Sequence, residues 1–305
     1  MPFIQKVLKY AKKPSLIIVS MINKGYFNWL DDRHYLQLAY RAKLGKKLDL
    51  KNPTTYTEKL QWLKLYDRRD EYTRMVDKYE AKKYIAERIG EEYIIPTLGI
   101  YDSFDEIDFD SLPDQFVLKC THNSGGLVIC KDKSKLDIAA AKDKIEKSLR
   151  RNYYLLGREW PYKNVKPRII AEQYMEDEKT AELRDYKFFS FDGEPKLMML
   201  ATERQLAAEP KFNFFDMEGA HLPLTCAHPN AKITPSLPVN FLRMQDLTRQ
   251  LSAGFPHLRV DFYEVNAKIF IGELTFFFMG GMSPFEPEEW NERIGSWITL
   301  PDKKK

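Results

Sequence analysis

The chain has 305 residues, of which 44% are hydrophobic and 30% are charged, and its formal net charge is +4. This length suits one large domain or two to three coupled subdomains. The apolar fraction is too high for a disordered chain, and the 14 glycines and 17 prolines are too few for a collagen-like or low-complexity sequence.

The positive charge is concentrated at the two ends of the chain. Residues 1–50 contain ten basic and three acidic residues, a balance of +7, and residues 303–305 add +3, so residues 51–302 hold −6. Proteins that bind nucleic acid usually have a basic stripe on the folded domain, so we expect no nucleic-acid partner. The basic ends serve either solubility or contact with an anionic surface or polymer.

The apolar runs are far shorter than the roughly 20 residues that a membrane-spanning helix needs. The N-terminus shows no small-residue cleavage site of a secretory signal. Three cysteines, an odd number, argue against a disulfide scaffold. These features predict a cytoplasmic protein in a reducing compartment.

The N-terminal third of the chain predicts helices. Between residues 3 and 11, apolar side chains recur at helical spacing with lysines between them, which predicts a helix docked on its own domain or lying on a membrane surface. Three further helices are predicted over residues 30–44, from a capping box at Thr55 and Glu58 to residue 66, and over residues 77–89, where Gly90 ends the helix.

From residue 93 onward, short aliphatic and aromatic runs predict strands. The predicted strands are residues 93–101, 115–120, 127–131, 168–175, 185–191, 195–202, 211–217, 259–265 and 269–276. Amphipathic runs predict helices over residues 136–151 and 237–251, and Asp192–Gly193 predicts a tight turn. Helix clusters mixed with antiparallel strand runs indicate the α+β class.

One candidate site for anion binding follows the strand that contains Lys119. The next residues, 121–126, form a polar loop that includes Ser124, Gly125 and Gly126. Small residues let backbone N–H groups approach an anion, and a lysine at the strand end adds a positive charge. The P-loop pattern is absent. The segment is therefore either a hairpin that covers phosphates or an ordinary hairpin with a lysine beside it.

A second candidate site consists of Arg259, Asp261 and Glu273, which lie in apolar strand runs. Buried carboxylates are costly unless they are paired or bind a metal, so the two acids indicate either ion pairs or Mg²⁺ bridging substrate phosphates. A three-residue turn, 266–268, would set Asp261 opposite Glu273, whereas a two-residue turn would place them on opposite faces. Arg259 shares the face of Asp261 and is placed to meet an anionic substrate.

Two further segments have little meaning alone. Asp77–Lys78 opens a predicted helix, and residues 169–175 form a buried-looking strand with a polar end, suited to an adenine edge or to ordinary core packing. Together with the two sites above, the order of these segments resembles the ATP-grasp superfamily, and within it the branch similar to TupA of teichuronopeptide biosynthesis. The resemblance extends over roughly residues 30–300 and is strongest in residues 52–62, 113–120, 157–162, 167–172, 185–189 and 284–290.

The resemblance implies an ATP-grasp fold, in which two α+β subdomains clasp ATP beside a helical N-terminal region. It divides the chain into four parts. These are a basic helical segment (1–50), a region before the ATP-grasp core (51–110), a lid subdomain with the glycine loop (111–175) and a C-terminal subdomain with the Mg²⁺ site (176–305).

The resemblance also implies roles for individual residues. The ATP-binding set comprises the phosphate lysines Lys78 and Lys119, the lid residues Ser124, Gly125 and Gly126, and the adenine hinge Glu172, Gln173, Tyr174 and Met175. The metal-binding and catalytic residues are Asp261 and Glu273 as Mg²⁺ ligands, Arg259 facing an acyl-phosphate, and Lys187 as a basic group near the phosphates. Thr275 stands where many such ligases have a metal-binding asparagine, so the number of metal ions is left open.

The implied activity is ADP-forming ligation of a carboxylate to an amine, with Mg²⁺ and lysines neutralising the phosphates. The branch implies an acceptor in surface polysaccharide (capsule or teichuronopeptide-like) synthesis, namely a uronic acid on a glycan or on a nucleotide- or lipid-linked sugar, with an amino acid or other amine as nucleophile. Two alternatives are a glycosyltransferase of the same pathway that uses Asp108 and Asp110, and a degenerate domain kept as a binding module. In the ligase interpretation, the basic N-terminal segment would contact the inner membrane face.

Overall fold

The computed structural model describes residues 15–178, 183–203 and 209–303. The helix predicted between residues 3 and 11 and the last two lysines lie outside the described residues. The described helices are α1 (Ser15–Asn23), α2 (Asp32–Leu44), α3 (Tyr56–Tyr66), α4 (Asp70–Val76), α5 (Glu80–Ile89), α6 (Ile138–Leu149), α7 (Tyr154–Gly157), α8 (Phe241–Ser252) and α9 (Glu288–Ser296). The described strands are β1 (Thr97–Tyr101), β2 (Phe116–Cys120), β3 (Leu127–Cys130), β4 (Ile169–Gln173), β5 (Asp185–Phe191), β6 (Glu194–Thr202), β7 (Lys211–Phe215), β8 (His257–Val265) and β9 (Lys268–Thr275).

The helix boundaries in the N-terminal third follow from capping residues. Asp31 caps α2, and Gly45, with a φ of 72°, ends it in the left-handed conformation. The capping box predicted at Thr55 and Glu58 is confirmed, because each side chain accepts a hydrogen bond from the backbone N–H of the other residue. Local sequence therefore fixes where these helices start.

Other helices differ from the prediction. α5 ends before Gly90 as expected, but it begins at Glu80, because Asp77 has extended backbone that separates α4 from α5. The sequence did not predict α4 or α9. α4 is only seven residues long, and α9 follows Pro287 without a side-chain cap. Short helices of this kind depend on tertiary packing more than on local signals.

The smaller of the two sheets is antiparallel in the order β1-β4-β2-β3. β2 and β3 form a hairpin around loop 121–126, and α6 packs against it through Ile145 in a core shared with Phe116 and Leu118. β1 pairs with β4, about seventy residues later in the chain. This sheet therefore combines strands from both sides of residue 110, a long-range pairing that leaves no local trace in the sequence. The predicted domain boundaries stay predictions.

The larger sheet is antiparallel in the order β7-β6-β5-β8-β9. One face packs on α8, where the ring of Phe188 lies 5.6 Å from that of Phe241 and 5.4 Å from that of Phe262. Because side chains alternate along a strand, the opposite face presents Lys187 of β5 and Asp261 of β8. The five-stranded sheet thus has one apolar face for the core and one charged face.

The strand predictions hold closely in the larger sheet. β5 has the predicted bounds, and Asp192–Gly193 forms the predicted turn, with a positive φ at both residues. β1 is shorter than predicted, since Glu91–Tyr93 form a 3₁₀ turn before it.

None of the described helices is both long enough and apolar enough to cross a bilayer.

Candidate active site

A cleft of about 540 Å³ lies where the loop after β2 approaches the charged face of the five-stranded sheet. Ser124 reaches it from the loop. The acidic and basic residues in its lining, apart from His228, come from β5, β8, β9 and the segment after α7. They are Asp185, Lys187, Arg259, Asp261, Glu273 and Glu159. Four of the predicted catalytic and metal-binding residues are thus brought together here.

Asp261 is the centre of a buried network of charges. Arg259 donates two hydrogen bonds to it, from Nε to Oδ1 (2.6 Å) and from Nη2 to Oδ2 (2.7 Å), and Lys187 donates a third. Lys187 also contacts Asp185 at 2.5 Å. Burial raises the pKa of Asp261, but Arg259 and Lys187 more than offset this and hold its pKa below the usual range. Arg259 and Lys187 thus favour the ionised form of Asp261.

Glu273 lies directly opposite Asp261, although the strands are joined by the shorter of the two turns that the sequence left open. β8 and β9 are joined by a two-residue turn, Asn266–Ala267, with positive φ at both residues. That turn alone would put the two carboxylates on opposite faces. Gly272 is an extra residue in β9, however, and the resulting β-bulge sets Asp261 opposite Glu273 again.

Close packing explains why the extra residue is a glycine. A Cβ at Gly272 would lie 2.6 Å from the ring of Tyr263, which is closer than two non-bonded carbon atoms approach each other. A glycine inside an apolar strand is a known sequence signal of a bulge. The sequence therefore contained the signal that places Glu273, although the turn prediction did not use it.

Glu273 differs from Asp261 in its partners. Within the described residues Glu273 has neither a hydrogen bond nor an ion pair, whereas both oxygens of Asp261 are occupied. Thr275, at the position where an asparagine was expected, accepts a hydrogen bond of 3.0 Å from Arg259 Nη2. Thr275 therefore supports the arginine, and Glu273 is left with open oxygens facing the cleft.

The charges in the cleft fit a divalent cation only together with phosphates. Asp185, Asp261 and Glu273 outnumber Lys187 and Arg259, which leaves excess negative charge. Among the described residues, no three His, Cys, Asp or Glu side chains are grouped to hold a metal by themselves. Mg²⁺ is typically bound through one or two carboxylates plus substrate phosphates and water. Glu273 has open oxygens for such a role, whereas Asp261 would have to exchange a contact with Arg259 or Lys187 to join it.

The loop after β2 has a fixed base and an open tip. Lys78 Nζ donates to the backbone carbonyl of Asn123 (2.7 Å), and the buried Asn123 side chain is hydrogen-bonded to Ser148. Ser124 and Gly125 are exposed, and Gly125 has a φ of 121° with nothing within 4 Å of its missing Cβ. Such a tip has the conformational freedom and space that an anion-binding loop needs.

Gly126 has a different role from the other loop residues. It is buried, and a Cβ there would lie 2.4 Å from Ser148 Oγ and 2.5 Å from Cys120 Sγ. Its lack of a side chain allows the hairpin to pack on α6. The structure therefore gives Gly126 a packing function and does not place it in the lining of the cleft.

Lys119 and Glu172 form an ion pair on the four-stranded sheet, outside the lining of the cleft. Glu172 Oε2 lies 2.6 Å from Lys119 Nζ, and its Oε1 lies 2.6 Å from Lys82 Nζ. Burial raises the pKa of Glu172, but the two lysines more than offset this and lower it to about 2. Burial lowers the pKa of Lys82, which Glu172 partly offsets. The sequence missed Lys82, which is one of several lysines on an amphipathic helix.

The rest of the predicted adenine hinge lies at the edge of the same sheet. Gln173 and Tyr174 line a separate cavity of about 860 Å³, together with Leu98 and Lys131 among others. The backbone N–H of Gln173 donates to the carbonyl of Pro96 (3.0 Å). Residue 175 lines neither this cavity nor the cleft. The hinge function of residues 172–175 stays a prediction.

Lys64 and Glu159 are charged residues near the cleft that the sequence did not single out. Lys64 is fully buried and donates to the carbonyls of Gly157 (2.8 Å) and Gly280 (2.7 Å) and to Gln61 Oε1 (3.0 Å). Burial lowers the pKa of Lys64 and raises the pKa of Glu159, and each group partly offsets the shift of the other. The sequence signal for this pair is weak: it is only that Lys64 falls on the side of α3 that is buried.

Comparison with known families shows to which family the chain belongs. The family described as TupA-like ATP-grasp matches residues 58–299, which is more than three quarters of the chain. The match includes both sheets, the loop after β2 and every charged residue of the cleft. A comparison with curated proteins gave no match.

Several solved structures show distant similarity. They include D-alanine–D-alanine ligase from Bacillus anthracis complexed with ATP (15% identity, 67% of this chain and 54% of that chain, TM-score 0.40). They also include D-alanine–D-alanine ligase from Helicobacter pylori (13%, 83% and 68%, 0.44) and the ATP-grasp ligase PsnB complexed with minimal precursor, Mg and ADP (11%, 80% and 61%, 0.38). This chain spans only about half the length of the first of them.

Proposed function

This chain belongs to the TupA-like ATP-grasp family and has its α+β fold, and on that premise we propose that it is an ADP-forming carboxylate–amine ligase that acts through an acyl-phosphate. The observation that supports the proposal best is the cleft itself. There Lys187 and Arg259 converge on Asp261, and Glu273, which has no partner among the described residues, lines the same cleft as Ser124. In such a reaction a carboxylate, an amine and ATP give an amide, ADP, phosphate and a proton.

Asp261 and Glu273 would hold Mg²⁺, and the bound Mg-ATP would supply the phosphoryl group with its charge partly neutralised. Lys187 would stabilise the negative charge of the phosphates, because it lines the cleft. Its ammonium is held in place there by Asp185 and Asp261. The exposed N–H groups of Ser124 and Gly125 would cover the phosphates from the other side.

Arg259 is held in place before any substrate binds. Its bidentate contact with Asp261 and its hydrogen bond to Thr275 fix the plane of the guanidinium, and its side chain is buried against the ring of Phe278 (5.3 Å). A donor that is fixed in advance stabilises developing negative charge without a cost of reorganisation. Arg259 would thus orient the carboxylate and its acyl-phosphate.

The substrate class is the finer part of the proposal, and it rests on the TupA-like branch. The carboxylate would be that of a uronic acid, on a glycan or on a nucleotide- or lipid-linked sugar, in the synthesis of a capsule or teichuronopeptide-like polysaccharide. The amine would be an amino acid or another amino compound. No nucleic acid takes part.

The glycosyltransferase alternative relied on Asp108 and Asp110. In the structure Asp108 Oδ1 accepts hydrogen bonds from the backbone N–H of Asp110 (3.0 Å) and of Ser111 (3.4 Å). This is the contact by which an aspartate closes a turn on the protein surface. The geometry gives these two acids a local structural role.

The activity is tested by incubating the protein with Mg-ATP, uronic acids and amino acids, and by measuring ADP and phosphate. We expect Lys187→Ala to lower ADP release by about 10²-fold or more, since it removes a fixed charge from the phosphate site. Lys268→Ala, at the exposed end of β9, is the matched control and should retain full activity.

Wild-type protein that binds no Mg-ATP would instead support the binding module, and transfer from a nucleotide sugar without ADP release would support the glycosyltransferase.

A peripheral membrane contact is a further part of the proposal. The basic charge of the first 50 residues suits an anionic inner membrane face or a lipid-linked acid acceptor. Deletion of residues 1–13, which lie outside the described residues, should weaken binding to phosphatidylglycerol vesicles and leave Mg-ATP binding unchanged. Equal vesicle binding by the deleted and full-length proteins would assign those lysines to solubility.

A further inference from the structure

A second cavity, of about 440 Å³, adjoins the cleft. The two share four wall residues, Tyr153, Glu159, Met279 and Gly280. The cleft contains the groups proposed to hold Mg-ATP, but the ligase reaction also needs a place for a second substrate. A cavity that shares part of its wall with the cleft is suited to that purpose.

Two cations line this second cavity and do not line the cleft. They are Lys43 of α2 and Arg151, which follows α6. Both side chains are exposed, and within the described residues neither has a hydrogen bond or an ion pair, although the charge of Glu159 raises the pKa of Lys43 against the larger lowering by desolvation. By contrast the adjacent Arg150 lies 3.4 Å from Glu146 on the outer side of α6. Unpaired cations in the wall of a cavity are suited to an anionic group of a ligand.

Glu159 lies in the common wall and is only 7% exposed. Its carboxylate receives no hydrogen bond from the described residues, because Lys64 beside it donates to backbone carbonyls and to Gln61. A buried carboxylate without a donor is costly, so its oxygens are available to a ligand that brings its own donors. The cavity thus presents an open acceptor where it meets the cleft and open cations elsewhere in its wall.

We propose that this cavity binds the amine substrate, and that this substrate is an amine that also bears an anionic group, as an amino acid does. Glu159 accepts hydrogen bonds from the amino group at the mouth of the cleft, and Lys43 and Arg151 bind the anionic group. The inference rests on the proposed ligase function. A simple amine would leave both cations unpaired, and an acid without an amine would face the unpaired Glu159.

Binding is tested on the full chain with Mg²⁺ and a non-hydrolysable ATP analogue present, by calorimetric titration with the proteinogenic amino acids. We expect at least one of them to bind. Its carboxyl methyl ester and its N-acetyl derivative should each bind about tenfold more weakly or worse, because each loses one charged contact. If no amino acid binds, or if both blocked derivatives bind as tightly as the parent, the proposal is wrong.

Variants locate the site. Arg151→Gln and Lys43→Gln should each weaken amino-acid binding by about tenfold with the affinity for the ATP analogue unchanged, and Arg150→Gln is the matched control that should change neither. Glu159→Gln should weaken amino-acid binding, and its melting temperature is measured alongside because the buried Lys64 loses a nearby negative charge. Equal weakening by Arg150→Gln would overturn the assignment. Amino-acid binding that persists in a protein unable to bind Mg-ATP would contradict the ligase function but not this site.

Discussion

Glu273→Gln is expected to lower ATP turnover by at least about 10²-fold without lowering the thermal stability of the protein. The reason is that Glu273 has no partner in the described part of the fold, and its charge adds by repulsion to the rise that burial causes in the pKa of Glu159 and Tyr153. The amide is nearly the same size, removes that repulsion and cannot replace a carboxylate ligand of Mg²⁺. Residues kept for function at a cost in stability behave in this way.

The measurement combines a melting curve with a titration of Mg²⁺ at fixed ATP. Glu273→Gln should melt at or slightly above the wild-type temperature and need far more Mg²⁺ for ADP release. Glu292→Gln changes an exposed carboxylate on α9 and serves as the control, with both properties unchanged. A large drop in melting temperature together with normal Mg²⁺ dependence would show that Glu273 is structural.

Asp261 would be a less informative position for this test. Its replacement by asparagine would leave Arg259 and Lys187 buried without their shared counter-charge, and breaking a buried pair costs about 3–5 kcal/mol. Loss of activity could then follow from unfolding. The value of Glu273 is that the bulge places it opposite Asp261 without tying it into the same network.

The sequence predicted those parts of the fold that depend on local chemistry. The capping box at Thr55 and Glu58, the helix stop at Gly90 and the turn at Asp192–Gly193 each arise from one or two residues acting on neighbouring backbone. The aromatic run in residues 185–191 likewise predicted β5 with its observed bounds. The order of such segments also indicated the family that the comparison then identified.

The sequence could not predict contacts between residues that are far apart along the chain. The partnership of Lys82 with Glu172 exists only because α5 packs beside a strand some ninety residues later. The position of Lys64 among the carbonyls of Gly157 and Gly280 likewise requires three separated segments to meet. Periodicity shows that such residues are buried or exposed, but it does not show which partner they meet.

Glu172→Gln is the second substitution expected to have a large effect, and here the effect is on stability. Glu172 is 4% exposed and neutralises both Lys82 and Lys119. An amide in its place would leave two ammonium groups close together without a counter-charge, a change of the kind that costs about 3–5 kcal/mol of unfolding free energy. Glu176→Gln, which breaks an exposed pair with Lys131, should cost less than about 1 kcal/mol.

Acid titration identifies the charge of Glu172 as the cause. Its pKa in the folded protein, about 2, is below the usual 4.5, so its contribution to stability is complete above pH 4.5 and is lost as the pH falls toward 2. That difference corresponds to about 3 kcal/mol. Urea unfolding at a series of pH values should show a smaller acid-induced loss for Glu172→Gln than for wild type or Glu176→Gln. If Glu172→Gln matches wild type in stability at pH 7 and in its acid dependence, then the charge on this carboxylate does not stabilise the fold, and Lys119 needs no counter-charge until a phosphate binds.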